Sequence, residues 1–256
     1  MFNKNELILD RVRSLTAHDL ATDQLLFRLT SLEDPTLSCS TEGEEVTDAI
    51  GSIITTMYRA KKATFSASNS LFSFDLAARQ FGSEKVIASA QTKIVDHIYE
   101  ILTVSNNQIT LKHTPKSTVK YIYTIVDGEI GKTYQAGATV SEDKFIINEK
   151  VITVPTGVTG KIYVEYDYET DNAMSLKNMT GTQPEACSII IYAYFRDKCN
   201  ENKIYSGKII CPKAKLNPEQ IELALTSTGK HPFEFKFQKD YCSEEEELFS
   251  IIISEE

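Results

Sequence analysis

Residues 233–238 run Phe-Glu-Phe-Lys-Phe-Gln, three aromatic side chains alternating with three polar ones. Successive side chains of a strand point to opposite faces, so only a β-strand gives this segment one aromatic face and one polar face. The same pattern recurs nearby. Residues 187–196, Cys-Ser-Ile-Ile-Ile-Tyr-Ala-Tyr-Phe-Arg, are β-branched and aromatic and predict a buried strand. Asp197 to Asn202 is polar turn chemistry, and Lys203 to Cys211 reads as the next strand. Ile221 to Thr226 alternates, and Gly229 and Pro232 within Ser227–Pro232 predict a hairpin loop before Phe233. Leu248 to Ile253 closes the series. Five short strands separated by turns are the spacing of an antiparallel sandwich or barrel.

The N-terminal part follows suit, with strand-like runs at Leu25–Leu32, Ile53–Tyr58, Ala63–Ala67 and Thr92–Leu102. One helix stands out. Leu71, Phe74, Ala78 and Phe81 fall at helical spacing, Asn69 or Ser70 can cap the start, and Gly82 sits where a left-handed stop belongs. Asp75 and Arg79, four apart, are placed to pair on its outer face. The helix is expected to cover one open end of the β domain. Residues 104–171 look like an insertion, with strand candidates at Gln108–Lys112, Val119–Val126, Lys144–Val154 and Gly160–Tyr168. Turn signals fall at Asp127-Gly128, Asn148-Glu149 and Pro155-Thr156-Gly157. The expected organisation is a discontinuous main domain, 1–103 with 172–256, carrying a small β lobe at 104–171.

Composition narrows the function. The chain has 27 Lys and Arg against 36 Asp and Glu, a net charge of −9, with 41% apolar and 25% charged residues. Such a chain has material for a core and is not disordered. No run is long and apolar enough for a transmembrane helix. The segment from Met1 to Leu7 lacks the basic-then-apolar order of a signal peptide. An acidic balance opposes ordinary phosphate-backbone binding. Six carboxylates, Glu244–Glu247, Glu255 and Glu256, cluster near the end, and without them the balance is 27 to 30. A smaller group is Glu42, Glu44 and Glu45. Charge runs of this kind are ordinarily solvated faces.

Catalytic patterns are missing. Cys39, Cys187, Cys199, Cys211 and Cys242 are odd in number, include no C-x-x-C, and suit small core residues in a reducing compartment. His18, His97, His113 and His231 form no metal-binding pair, and His113 and His231 sit beside turn residues as exposed or capping groups. No phosphate-cradling glycine loop and no nucleophile elbow occurs. Asp167, Glu169 and Asp171 alternate onto one face, where Ca²⁺ binding is weighed against a solvated strand end and the strand end is favoured. Carboxylates around Cys242 would raise its thiol pKa, against nucleophilic use. The expectation is a protein with no cofactor, no metal and no enzymatic activity.

The order of segments carries one resemblance. Glu45–Tyr58 is followed by Lys61–Asn69 and the helix; the end runs Pro212–Leu216, Ser227–Phe233, Asp240-Tyr241-Cys242 and Leu248–Ile253. This resembles the major tail-tube proteins of tailed bacteriophages, and the 104–171 insert is similar in kind to the immunoglobulin-like additions some of them carry. The resemblance implies a mainly β protein, an antiparallel sandwich or barrel with one flanking helix. It implies subunits that close into rings, generally of six, whose inner sheets join into a β-lined channel. The rings stack into a tube through which viral DNA passes without specific binding. The partners implied are the protein itself and other tail or head–tail junction proteins, with no membrane, in a virion tail made in the host cytoplasm. Ring closure would pair every sheet edge, and the acidic excess would keep a polar, partly acidic inner face from holding phosphate. Asp34–Thr47, with Pro35, Gly43, Glu42, Glu44 and Glu45, reads as an exposed loop able to reach the next ring. The competing readings are a capsid-decorating or head–tail completion protein, and a β-sandwich binding or adhesion module.

Overall fold

A computed structural model describes residues 6–200, 202–219, 221–223, 226, 229–241 and 247–254. In chain order the elements are β1 (Leu7–Asp19), β2 (Leu25–Leu29), β3 (Leu32–Thr47), β4 (Ile53–Asn69), the helix α1 (Phe74–Phe81), β5 (Val86–Ile87), β6 (Ile94–Thr103), β7 (Gln108–Thr110), β8 (Tyr121–Val126), β9 (Glu129–Ala136), β10 (Lys144–Asn148), β11 (Val151–Thr153), β12 (Lys161–Thr170), β13 (Met174–Ser175), β14 (Ala186–Asp197), β15 (Ile204–Leu216), β16 (His231–Phe237) and β17 (Ser250–Ser254). They form two compact units, one ending at Lys85 and resuming at Leu176, the other running from Val86 to Ser175. Among the described residues no helix is long and apolar enough to cross a membrane.

The first unit is one sheet with strand order β2-β1-β14-β15-β16-β4-β3, and β17 added to β15. Only residues 30 and 31 separate β2 from β3, so the path returns to its start as a nearly closed, barrel-like sheet. The alternating aromatic run fills it. Phe233, Phe235 and Phe237 are buried beside Phe65, Leu15, Ile189, Ile191 and Leu216. A fully buried side chain of this size contributes about 1.5–3 kcal/mol. Close approach matters at Gly207, where an added Cβ would lie 2.2 Å from the Phe195 ring. Asp197 closes the β14–β15 connection by accepting from the Cys199 N–H at 2.8 Å and the Tyr205 hydroxyl at 3.3 Å.

The helix is shorter than its periodicity predicts. It spans Phe74–Phe81, with Ser73 as N-cap accepting from the Leu76 N–H, and Gly82 stops it at φ 60°. Leu71 and Phe72 precede it and are exposed, because the core face is made by Leu76, Ala77, Ala78 and Gln80 instead. Asp75 and Arg79 do not pair with each other. Lys85 takes Asp75, and Glu185 takes Arg79 at 3.6 Å. Two further expectations change. Ile221 to Leu223 is irregular, not strand, and Ala224, Leu225, Ser227 and Thr228 lie outside the described residues. His231 opens β16 and is buried, where a turn-edge position is expected.

The second unit has its own sheet, β6-β12-β8-β9-β10-β11-β7, and its own core of Ile122, Phe145, Ile152, Ile162, Val164 and Tyr166. Strand β6 pairs with β12 along its whole length, from Ile94 opposite Thr170 to Thr103 opposite Lys161, so this sheet begins before residue 104. Asp127, at φ 52°, and Gly128, at φ 87°, make the turn from β8 into β9.

His231 holds the helix to the barrel. Its Nδ1 accepts from the Ser73 N–H at 3.3 Å, its Nε2 donates to Gln80 Oε1 at 2.7 Å, and Gln80 Nε2 donates to the Pro232 carbonyl at 3.0 Å. Phe72 stacks on the ring. Burial pushes this imidazole down from 6.5 to about 4. Above pH 6.5 it is neutral whether the chain is folded or not. Below that, the unfolded chain gains a proton that the folded one refuses, so stability falls as pH drops toward 4, by about 2–3 kcal/mol in all. Thermal melts between pH 7 and 4.5 should show this decline, and His231→Gln should flatten it. An unchanged slope in the variant would show that other groups carry it.

Candidate assembly surface

Strand β15 has two partners on one edge. Residues 214–216 pair with β16, inside the barrel, whereas residues 206–210 pair with β17. On its other edge β15 follows β14 throughout, and β14 in turn follows β1 from Leu7 to Asp19. Strand β2 covers only Leu15 to His18 of β1. The sheet therefore continues past the barrel as four strands, β1-β14-β15-β17. Both lateral edges of this extension, Leu7–Ser14 of β1 and Ser250–Ser254 of β17, have no strand beside them among the described residues. Unpaired N–H and C=O groups along such edges template the pairing of another strand.

Side chains at the two edges agree with the backbone. On the core-side face the rows are Leu15–Ile191–Ile209–Ile251 and Val12–Ala193–Gly207–Ile253. The middle members are buried or half-buried, but Ile251 at one edge is 54% exposed and Leu9 at the other is 56% exposed. The apolar layer thus runs to both edges and stops without cover.

A second feature leaves the barrel. Strands β3 and β4 pair from Leu32 opposite Asn69 to Thr47 opposite Ile53, and from Glu42 to Tyr58 the ribbon's side chains are exposed, apart from a half-buried Thr56. Asp48 builds its tip, with its carboxylate accepting from the Ile50 and Ser52 N–H groups, and Gly51 takes φ 87°. Glu42, Glu44 and Glu45 lie on this ribbon. They are exposed, but they are on a strand and not in a loop. The breakers that suggest a loop act as bulges. The pairing slips around Pro35, beside Asp34 at φ 51°, and again between Thr41 and Gly43. An added Cβ on Gly43 would sit 3.1 Å from Thr56 and 3.3 Å from the Tyr58 ring. Glu42 pairs with Lys62, which holds its carboxyl below the usual range. Val46, Ile50, Ile53, Ile54, Met57 and Tyr58 are all exposed on this arm, Ile50 at 88% and Tyr58 at 74%. An isolated two-stranded ribbon is marginal in water, and one with apolar groups on both faces needs an outside surface to cover it.

The other candidate groups are not gathered into a site. Cys187 and Cys211 are buried and their thiols are pushed up to about 12, chiefly by burial; Cys39 and Cys199 are exposed, and Cys242 lies outside the described residues. Asp167 accepts from His97 at 2.8 Å, which raises the imidazole pKa, and Glu169 pairs with Lys116 at 3.0 Å. His113 stacks on Tyr168, and His18 bonds the Asp23 carbonyl. Among the described residues no three His, Cys, Asp or Glu side chains are placed to hold a metal. A cavity of about 650 Å³ opens at the root of the arm between Cys39, Lys61, Lys62, Lys239, Leu248 and Phe249. Among the described residues no buried acid–base pair lines it.

The first unit thus combines a barrel-like sheet, an open-edged extension and an apolar arm. The profile of the YomU/Tube protein family matches residues 7–247. The chain belongs to this family, one of phage tube proteins. No curated protein matches it.

The thiols give a check on the burial pattern. In the native protein, maleimide should modify Cys39 and Cys199 and leave Cys187 and Cys211 untouched until denaturant is added. Peptide mapping by mass spectrometry reads this, and native labelling of Cys211 would contradict the packed β14–β15 core.

Proposed function

We propose that this protein is the subunit of a phage tail tube, in which copies join edge to edge into rings, six to a ring, and the rings stack into a conduit for DNA. One observation carries the reading: a four-stranded sheet with one open edge on β1 and the other on β17. Pairing β17 of one copy with β1 of the next joins two four-stranded sheets, satisfies both backbone edges and covers the Leu9 and Ile251 side chains. Repeated around a rotation axis, the contact is head-to-tail and closes a ring. The wall of the channel is then β1, β14, β15 and β17 of every copy.

The β3–β4 arm, with Glu42, Glu44 and Glu45, is the stacking element in this reading. It lays Ile54, Met57 and Tyr58 on the neighbouring ring, and its carboxylates set charge register there. Such a protein is non-enzymatic. It works in the virion tail, is made in the host cytoplasm, and meets itself, other tail or head–tail junction proteins and passing DNA.

Two adjacent prolines test the edge. In a strand, one residue's N–H faces one neighbour and the next residue's N–H faces the other, so of Ile251→Pro and Ile252→Pro, one removes a group facing the open edge and one removes a bond to β15. The first should keep a near wild-type melt and lose rings in negative stain; the second should lower the melting temperature. Wild-type protein that stays monomeric by size-exclusion chromatography and shows no rings would overturn the proposal.

The 86–175 unit is proposed to be an autonomous, immunoglobulin-like lobe. Replacing it by a short Gly-Ser linker should leave rings intact, and the excised unit should melt cooperatively by circular dichroism. Loss of folding in either piece would show that the two depend on each other.

A further inference from the structure

The second unit, residues 86–175, holds eight lysines, no arginine and eleven Asp and Glu, so it is acidic on balance, and every one of its residues is described. Three of the eight lysines nevertheless meet at one cleft. Lys93 stands just before β6, Lys116 lies in the connection from β7 to β8, and Lys150 is in the turn between β10 and β11. These segments are distant in sequence, and the fold brings them round a cavity of about 580 Å³. The rings of His113 and Tyr168 also line it, stacked with their centres 3.9 Å apart and 11° between their planes.

One carboxylate lines the cleft, and it is already matched. Glu169 takes Lys116 at 3.0 Å, and that bond, with a smaller contribution from the charge of Lys93, holds its carboxyl below the usual range. Asp96 accepts from the Tyr168 hydroxyl at 3.0 Å, but neither it nor Glu149 nor Asp171 lines the cavity. Lys93 and Lys150 have no carboxylate partner among the described residues. The Lys150 ammonium donates to the Lys112 carbonyl at 3.1 Å, which fixes its place at the cleft. The lining therefore carries three ammonium groups against one carboxylate, a balance of 3 − 1 = +2. Like charges gathered at one concave site repel, and its walls focus their field outward. An oxyanion seated among them relieves that repulsion, and each ammonium is a compact donor for its oxygens.

We infer that this cleft binds a dianionic phosphate group through Lys93, Lys116 and Lys150, with the Thr114 hydroxyl at its wall as a neutral donor. A phosphate monoester carries about −1.5 to −2 charge at pH 7, which matches the lining, whereas a single carboxylate leaves half of it uncompensated. The group arrives either as the free ion or as the monoester of a larger molecule; both present the same oxygens. The site uses residues of the second unit alone and stands apart from the tube reading.

The test is equilibrium dialysis of the full-length protein against radiolabelled inorganic phosphate at low salt, with acetate and glucose 6-phosphate as competitors. Wild type should take up one phosphate per chain. The double variant Lys93→Gln, Lys150→Gln should bind roughly fivefold more weakly or worse, with an unchanged circular dichroism spectrum. Lys120→Gln with Lys161→Gln removes the same charge from exposed lysines outside the cleft and should leave binding within about twofold of wild type. If the cleft variant does not fold, Lys93→Gln alone should still weaken uptake about twofold. Glucose 6-phosphate that displaces the label at lower concentration than phosphate itself identifies a monoester on a larger body; equal displacement identifies the free ion, and either upholds the site. No saturable uptake by the wild type, equal losses in the two double variants, or displacement by acetate as effective as by unlabelled phosphate would overturn the inference.

Discussion

A strand can have only one partner at a time on each edge, and β15 is long enough to use that rule twice. Its last residues bond to β16 and complete the barrel; its middle residues bond to β17 and start a second sheet. The open-edged extension of the first unit follows from this fork. Because β14 and β1 accompany β15 through it, the barrel's core and the extension share three continuous strands. A load on the extension's edge is therefore carried by backbone hydrogen bonds into a packed core. Gly207 and Phe195 sit in the extension, where the close approach of ring to backbone keeps β14 and β15 tightly apposed.

Much of this fold can be read in the amino acids. The Phe233–Phe237 alternation, the Ile-rich strand at 187–196 and the Gly82 stop all correspond to what forms, because each depends on local periodicity or on one residue's conformational freedom. The parts that cannot be read depend on partners distant in sequence. β1 mixes Asp10, Arg11 and Arg13 with apolar residues across two bulges, so no simple period survives, although it pairs with β14 from Leu7 to Asp19. The arm hides for the opposite reason. Pro35, Gly43 and three glutamates look like loop chemistry, yet a strand tolerates all of them at bulges and on solvent faces. Ile221–Leu223 has strand-like alternation and no edge to join, and it stays irregular.

The candidate assembly surface was legible only in part. Glu42, Glu44 and Glu45 mark an exposed segment, which the structure places on the β3–β4 arm, since charge and exposure are local properties. The open edges leave no trace in composition, because an unpaired N–H is the same atom as a paired one. His231 shows how position within a fold outweighs sequence context: between Lys230 and Pro232 it looks like a turn residue, but the Ser73 N–H and the Gln80 amide make it the buried joint between helix and barrel.

The order of the two edge strands along the chain has a consequence for biosynthesis. β1 is translated more than two hundred residues before β17. In the proposed tube, a nascent chain on the ribosome would present one half of the β1–β17 joint and lack the other, so neighbouring chains on a polysome would have no complementary edge with which to polymerise. Growth would thereby be restricted to subunits whose last strand has been made.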